Sequence, residues 1–344
     1  MQLSPLSEYV RVLRPVLGPT AFAPARSRLL WLPLHLALIT LAMIAIAGGY
    51  LPWPLVPVAS LVIGVSFSGI TFLAHETLHG GVVKHRLAKR VVGWIGFSPF
   101  LVSPRLWMVW HNREHHGHTN QPGRDPDMYP ELSTYEQSRL IRLITDGFSL
   151  GARRWTGALS LLLGFTVQSA QILFAVPRWG WMSKRDHRVA LAESALALAM
   201  WLGLAFLVGP LAFVFVFVLP VIVANVMVMA FILTNHGLSP LTPGVNDPLI
   251  NSLSVTLPRP LEWITLGFGY HVEHHLFPSM SARHGPRLRA LLQERYPERY
   301  QSMPLTSALT SLHRTARVYR DNVTLVDPRS GAVWPTLLPR PTPP

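Results

Sequence analysis

Four apolar runs, each about as long as a bilayer is thick, constrain this chain more than any other feature. A helix rises about 1.5 Å per residue, so a hydrocarbon core of about 30 Å takes about 20 consecutive apolar residues to cross. Trp31–Tyr50 has one histidine and no formal charge, Leu55–Ala74 has no ionisable residue, Val189–Val208 has only Glu193, and Leu211–Asn235 has none. The first two runs are separated by Leu51-Pro52-Trp53-Pro54 and the last two by Gly209-Pro210. Proline and glycine break helices, as the joint of a tight hairpin requires. The expected fold is therefore all-α and integral to a membrane, built on two transmembrane helical hairpins with four spans in all.

Charge placement orients these hairpins. Arg11, Arg14, Arg26 and Arg28 precede the first and Lys84, Arg86, Lys89 and Arg90 follow it, while neither joint carries a Lys or Arg. Arg153, Arg154, Arg178, Lys184, Arg185 and Arg188 lie before the second hairpin. Short cytoplasmic loops collect positive residues, so both termini are expected on the cytoplasmic side. Two more stretches are apolar but compromised: Val91–Val109 by Pro99, Pro104 and Arg105, and Trp155–Val176 by Gln168, Ser169 and Gln171. With basic residues on both flanks, they are expected to be interfacial helices that do not cross. The first apolar run is too long for a signal-peptide core. A membrane domain is expected over residues 1–300, with a cytoplasmic extension over 301–344 that turns proline-rich from Asp327 and runs extended.

Composition then removes whole classes of function. No cysteine is present, so no disulfide, thiolate–zinc site or cysteine nucleophile can form. The net charge of +13 comes without an interleaved aromatic–basic surface, so nucleic acid is not an expected partner. Of the 30 basic residues only Lys84, Lys89 and Lys184 are lysine, an arginine bias that points to a GC-rich, bacterial genome; the expected location of a multi-pass chain is then a bacterial inner membrane.

Fifteen histidines nearly match seventeen carboxylates, and nine of them fall at telling places. His75-Glu76-Thr77-Leu78-His79 follows the second apolar run, and His236 follows the fourth, next to Asn235. Between and beyond them lie His111-Asn112-Arg113-Glu114-His115-His116 and His271-Val272-Glu273-His274-His275. Residues three or four apart share a helix face, so each cluster can aim its rings at one target; on α-helical geometry His111 and His115 pair, with His116 turned about 100° away. All clusters fall at the cytoplasmic ends of spans or in cytoplasmic segments. Nine imidazoles are too many for one metal and suit two six-coordinate ions, of which iron fits better than four-coordinate zinc. His75-Glu76-Thr77-Leu78-His79 also matches the zinc-protease motif H-E-x-x-H. An intramembrane zinc protease would leave the later clusters without a role, and a membrane cytochrome with paired haem-binding histidines is the non-enzymatic rival. A ferritin-type carboxylate site needs two Glu-x-x-His motifs, and only Glu76-x-x-His79 is present.

Three boxes of the forms H-x3-H, H-x3-H-H and H-x2-H-H resemble those of the integral-membrane fatty acid desaturase family. Thr119-Asn120, Asp125-Pro126-Asp127 and the third box Gly269-Tyr270-His271-Val272-Glu273-His274-His275-Leu276-Phe277-Pro278 support the resemblance, which spans roughly residues 30–300. The H-x3-H-H second box is also similar to that of membrane alkane hydroxylases, and carotenoid ketolases share related boxes. The resemblance implies a helical membrane domain with a cytoplasmic cap enclosing two iron ions held by His75, His79, His111, His115, His116, His236, His271, His274 and His275. It implies O2 as co-substrate, a lipid acyl chain as substrate, and desaturation, with hydroxylation or ketolation as the alternative outcome. No His-Pro-Gly-Gly haem signature is present, so electrons are expected from ferredoxin or a similar external carrier. Metal-bound imidazoles need partners that fix their tautomers; Asp125, Asp127, Asn235, Glu76, Glu114 and Glu273 are the candidates by proximity in sequence.

Overall fold

The computed structural model describes residues 2–339. Two compact units emerge, each discontinuous in sequence. One contains Pro24–Trp110 and Leu162–Met229; the other contains the N-terminal segment to Ala23, His111–Leu161 and the chain from Ala230 onward.

The apolar runs become long helices: Trp31–Ala47, Val56–His79, Lys184–Val208, and a last one in which Pro210–Phe213, a π-helical stretch Val214–Val218 and Leu219–His236 follow without a break. Ala158–Trp179 is a fifth, so among the described residues five helices qualify as spans by length and apolar character rather than the four expected. Two of its polar residues are satisfied on helices. Ser169 Oγ donates to the Phe165 carbonyl one turn back (2.6 Å), and Thr166 exchanges bonds with the buried Asn225, whose Nδ2 donates to Thr166 Oγ1 at 3.0 Å. The second helix also runs past the expected end at Ala74, so that His75, Glu76 and His79 ride its last turns until Gly80, at φ 89°, ends it in a left-handed cap.

Within the first unit, Val56–His79 is the buried helix. In its most apolar stretch 61% is buried, against 11% for the helix before it. Small residues make the packing close. A Cβ at Gly64 would strike Val223, at Gly69 the ring of His35, and at Gly96 the Ile70 carbonyl and the Ala74 methyl. Glycine at such crossings lets backbones approach within a bilayer, where helices gain little from the hydrophobic effect. Thr71 Oγ1 donates to the Phe67 and Gly96 carbonyls (2.7 and 2.9 Å), pinning the following helix Arg86–Phe97 at that approach.

The second unit is built from shorter pieces. Helix Leu6–Leu17 buries Tyr9, Leu13 and Leu17 against Leu249, Val272, Leu276, Leu288 and Leu292. The Asp247 carboxylate ties down its start, accepting from Ser4 N (2.8 Å), Tyr9 OH (3.1 Å) and Arg299 Nη2 (2.6 Å). Helix Arg139–Phe148 turns Leu140, Leu143 and Ile144 outward, an i, i+3, i+4 stripe suited to an apolar–polar boundary. Helices Gly285–Arg295 and Leu305–Arg314 follow the third histidine box. Strands Ser254–Thr256 and Ser302–Pro304 pair in parallel, and Val318–Asp321, Thr324–Val326 and Val333–Pro335 form an antiparallel meander. The segment expected to run extended from Asp327 thus contributes a paired strand, and its last residues, 340–344, lie outside the described residues.

Candidate metal centre

The second histidine box does not ride an α-helix. Met108–His115 is π-helical, with His116 opening the short helix that follows. A π-helix closes its bonds at i+5 rather than i+4, and the side-chain pairing changes accordingly. His116, expected to point away from His111, instead brings its Nε2 to 3.2 Å from His111 Nε2. His115 stays stacked on His111, with ring centroids 5.1 Å apart, and also joins a different group. The wider helix is what allows three histidines within six residues to serve two sets.

One set is His115, His236, His271 and His275, each buried and each offering a ring nitrogen within 4.8 Å of the others. Three have a fixed tautomer. His115 Nδ1 donates to Asp125 Oδ1 at 3.0 Å, with Asp127 Oδ2 at 3.4 Å. His236 Nδ1 donates to the Asn251 carbonyl at 3.0 Å. His275 Nδ1 lies 3.3 Å from Thr119 Oγ1, whose own hydrogen is committed to the His115 carbonyl at 2.9 Å. The hydroxyl must therefore accept, and Nδ1 of His275 must carry the proton. Each of these rings is left with Nε2 turned to the common space. The Nε2 atoms of His236 and His271 stand 2.7 Å apart, and Nε2 of His275 is buried without a hydrogen-bond partner. Imidazole nitrogens gathered this closely, one of them without a hydrogen-bond partner, are what a cation would satisfy. This donor set fits a metal ion of the imidazole-preferring kind.

A second set in the same unit is His111, His116 and His274, with His274 Nε2 3.1 Å from His116 Nε2. His75 and His79 belong to the other unit, at the end of helix Val56–His79. Their rings are 4.7 Å apart, and Trp107 packs edge-on against both at 5.2 and 5.1 Å.

Electrostatics keep most of the centre neutral. Burial, followed by the charges of neighbouring histidines, drives His271 and His275 well below the usual imidazole range and His274 down to about 3. His115 goes the other way. Burial would depress it, but the carboxylates of Asp125 and Asp127 outweigh that and lift it to about 9.

The carboxylates proposed from sequence proximity divide sharply. Asp125 is fully engaged: besides His115, it accepts from Asn120 N (2.7 Å) and Asp127 N (3.0 Å). Asp127 also reaches His115. Glu273, by contrast, accepts from Tyr300 OH (2.6 Å), Arg289 Nε (3.2 Å) and Ser254 Oγ (2.6 Å). It supports the third box indirectly, because Ser254 Oγ accepts from His271 N and Val272 N at the start of that helix. Glu76 pairs with Arg28 at 2.6 Å, which occupies the carboxylate that a zinc protease would need as its base. Glu114 pairs with Arg113 at 2.6 Å. Asn235 is fully buried beside His236, with neither side-chain atom hydrogen-bonded. Two tautomer-fixing groups escaped the sequence reading. Thr119 stood inside a quoted motif without a role, and the Asn251 carbonyl is a backbone atom that leaves no signal in residue type.

The fatty acid desaturase family matches residues 51–307, three quarters of the chain and all three boxes. The chain belongs to the fatty acid desaturase family. It is 23% identical over 261 residues to an sn-1 oleoyl-lipid 12-desaturase of Synechocystis sp., covering 72% of each chain. It is 26% identical over 266 residues to an acyl-lipid (7-3)-desaturase of Rebecca salina, covering 68% of this chain and 56% of that one. A chloroplastic omega-3 fatty acid desaturase of Glycine max is 27% identical over 261 residues, 71% of this chain and 54% of the relative. As a family member with five apolar helices, this desaturase is an oxidoreductase and an integral membrane protein. The zinc-protease reading of the first box falls with this membership.

Proposed function

We propose that this protein is a di-iron desaturase of lipid acyl chains, and the convergence of buried histidine Nε2 atoms carries that reading. His115, His236, His271 and His275 are assigned to one iron. His111, His116 and His274 are assigned to the other, and His75 and His79 stand as ligand candidates on the spacing of their box. Bound there, the metals would supply the reduction of O2 by two electrons from an external carrier such as ferredoxin; with two protons from solvent and two hydrogens lost from adjacent acyl carbons, a cis double bond and two waters would result. The protein's share is to hold and orient. Asp125, Thr119 and the Asn251 carbonyl lock three imidazoles with Nε2 inward. Burial keeps His271, His274 and His275 unprotonated and ready to bind. His115 would have to give up its extra proton for a metal to bind there, since metal and proton compete for one lone pair. Asn235, with its amide unengaged next to His236, is assigned to a water at the centre.

Topology supports a site on one membrane face. The bonds Ser4 N–Asp247 and Leu6 N–Asn246 carbonyl join the N-terminal segment to the chain beyond the last apolar helix. Both ends of the intervening chain therefore lie on one side, which requires an even number of crossings. Four of the five helices satisfy this. Arg153 and Arg154 before Ala158–Trp179 and Arg178 to Arg188 after it favour that helix as the one that does not cross. The same residues favour the cytoplasmic side of a bacterial inner membrane.

Expression in a host with a simple fatty acid profile, followed by mass spectrometry of its lipids, tests the reading. New unsaturation is the expected outcome. Products that gain one oxygen would instead make the protein a hydroxylase, and an unchanged profile with an added reductase system would overturn both.

A further inference from the structure

The meander Val318–Pro335 lies beyond the residues the family matches, yet its bonds go to the chain immediately after two of the metal-centre segments. Arg317 Nη1 donates to the carbonyl of Gly237, the residue after His236. Tyr319 OH donates to the Ser239 carbonyl at 2.7 Å. Leu241 N donates to the Asn322 carbonyl at 2.8 Å, and Leu337 N to the Leu238 carbonyl at 2.9 Å. Four of the five residues in Gly237–Leu241 are thereby bonded to the chain beyond Thr315. On its other flank Tyr319 N donates to the Pro130 carbonyl at 2.9 Å, and Tyr319 bridges to Glu131, close behind Asp125 and Asp127. Leu241, Tyr319 and Leu325 share a core with Met128 and Tyr129.

Arg317 is the unusual member. It is 2% exposed, and its guanidinium bonds go to Gly237 and Thr315, not to a carboxylate, while it stacks over Tyr129 at 5.6 Å. A buried cation held by backbone and hydroxyl oxygens is costly. Its planar fork is the feature that lets one side chain grip two acceptors in fixed directions. The loop it grips is also held from the opposite side, where Asn120 Nδ2 lies 3.2 Å from the Pro240 carbonyl and 3.4 Å from that of His236.

We infer that the C-terminal meander is a clamp that fixes His236 and Asp125 in register for metal binding, with Arg317 and Tyr319 as its positioning residues. The inference rests on the metal-centre reading above. Partners that orient metal ligands from outside typically set affinity by about 10–100-fold.

Co(II) titration of the full chain in detergent, followed by its visible spectrum and metal content, tests the clamp. The unaltered protein is expected to bind two Co(II). Arg317→Met and the near-isosteric Tyr319→Phe are expected to weaken one of the two at least tenfold and to alter its spectrum, with Arg317→Lys recovering part of the loss. Val326→Ala trims the core that the meander shares with Tyr135 and Val318 and leaves every hydrogen bond to the Gly237–Leu241 loop in place. It is expected to lower thermal stability and leave both affinities unchanged. Wild-type affinities in Arg317→Met and Tyr319→Phe would overturn the clamp, and so would an equal loss in Val326→Ala. Failure of the unaltered protein to bind two Co(II) would overturn the metal-centre reading instead.

Discussion

Replacing Asp125 by asparagine tests the centre at its most connected point. The side chain is fully buried and accepts three hydrogen bonds, from His115 Nδ1, Asn120 N and Asp127 N. Asparagine keeps the shape but loses the charge and turns one acceptor into a donor. If its oxygen stays on His115, its amide faces the N–H of Asn120, and a buried donor is left unsatisfied at a cost of about 1–3 kcal/mol. The electrostatic loss is of similar size. Lifting His115 from 6.5 to about 9 corresponds to about 3 kcal/mol, a figure that already contains the hydrogen bond and is not added to it. The sign for metal-free protein follows from both partners. His115 is raised, so its contribution is full below pH 6.5 and fades as pH rises through about 9. Asp125 is lowered, so its contribution is full above pH 3.8 and fades below it. Chelator-treated wild type should therefore be most favoured by this pair between about pH 4 and 6.5, and Asp125→Asn should lose that dependence. With metal, the freed His115 ring should cost about 10–100-fold in affinity. Thermal unfolding across pH and iron content after dialysis measure both. An asparagine variant that keeps the wild-type stability profile and full metal content would refute the role given to Asp125.

His271→Ala and His275→Ala are each expected to abolish turnover, checked by lipid analysis, while membrane insertion on carbonate extraction stays intact. Gly96→Val forces side-chain atoms into the Ile70 carbonyl and Ala74 methyl; overpacking of this kind costs about 1–3 kcal/mol, to be read as a lowered unfolding temperature in detergent. Asn225→Leu removes the bond to Thr166, and because such bonds inside bilayers average about 0.6 kcal/mol, stability should fall only slightly and product profile should not change. A shifted product profile would instead place Asn225 on the substrate path.

The apolar runs and their Pro and Gly joints were legible in the sequence because burial in lipid is a property of composition over about 20 residues. The histidine boxes were legible for the same local reason, as ligand type and spacing are written directly in the chain. What tertiary structure decided is where local rules compete. Gln168, Ser169 and Gln171 spoke against a span in Ala158–Trp179, and only the fold showed a helix long and apolar enough to qualify as one, with Thr166 bonded to Asn225. The second box followed α-helical spacing on paper, but its π-helix sends His116 to His111 and His115 to His236. Proximity in sequence nominated Glu273 as readily as Asp125, and only folding turned one toward Tyr300 and Arg289 and the other toward His115. The tautomer of His236 hangs on a backbone carbonyl, and the loop behind it is gripped by Arg317, 80 residues further along the chain. Sequence thus determined which side chains are candidate ligands, and tertiary structure decided which nitrogen turns inward in His115, His236 and His275, because that choice belongs to whatever partner the fold delivers to the other nitrogen.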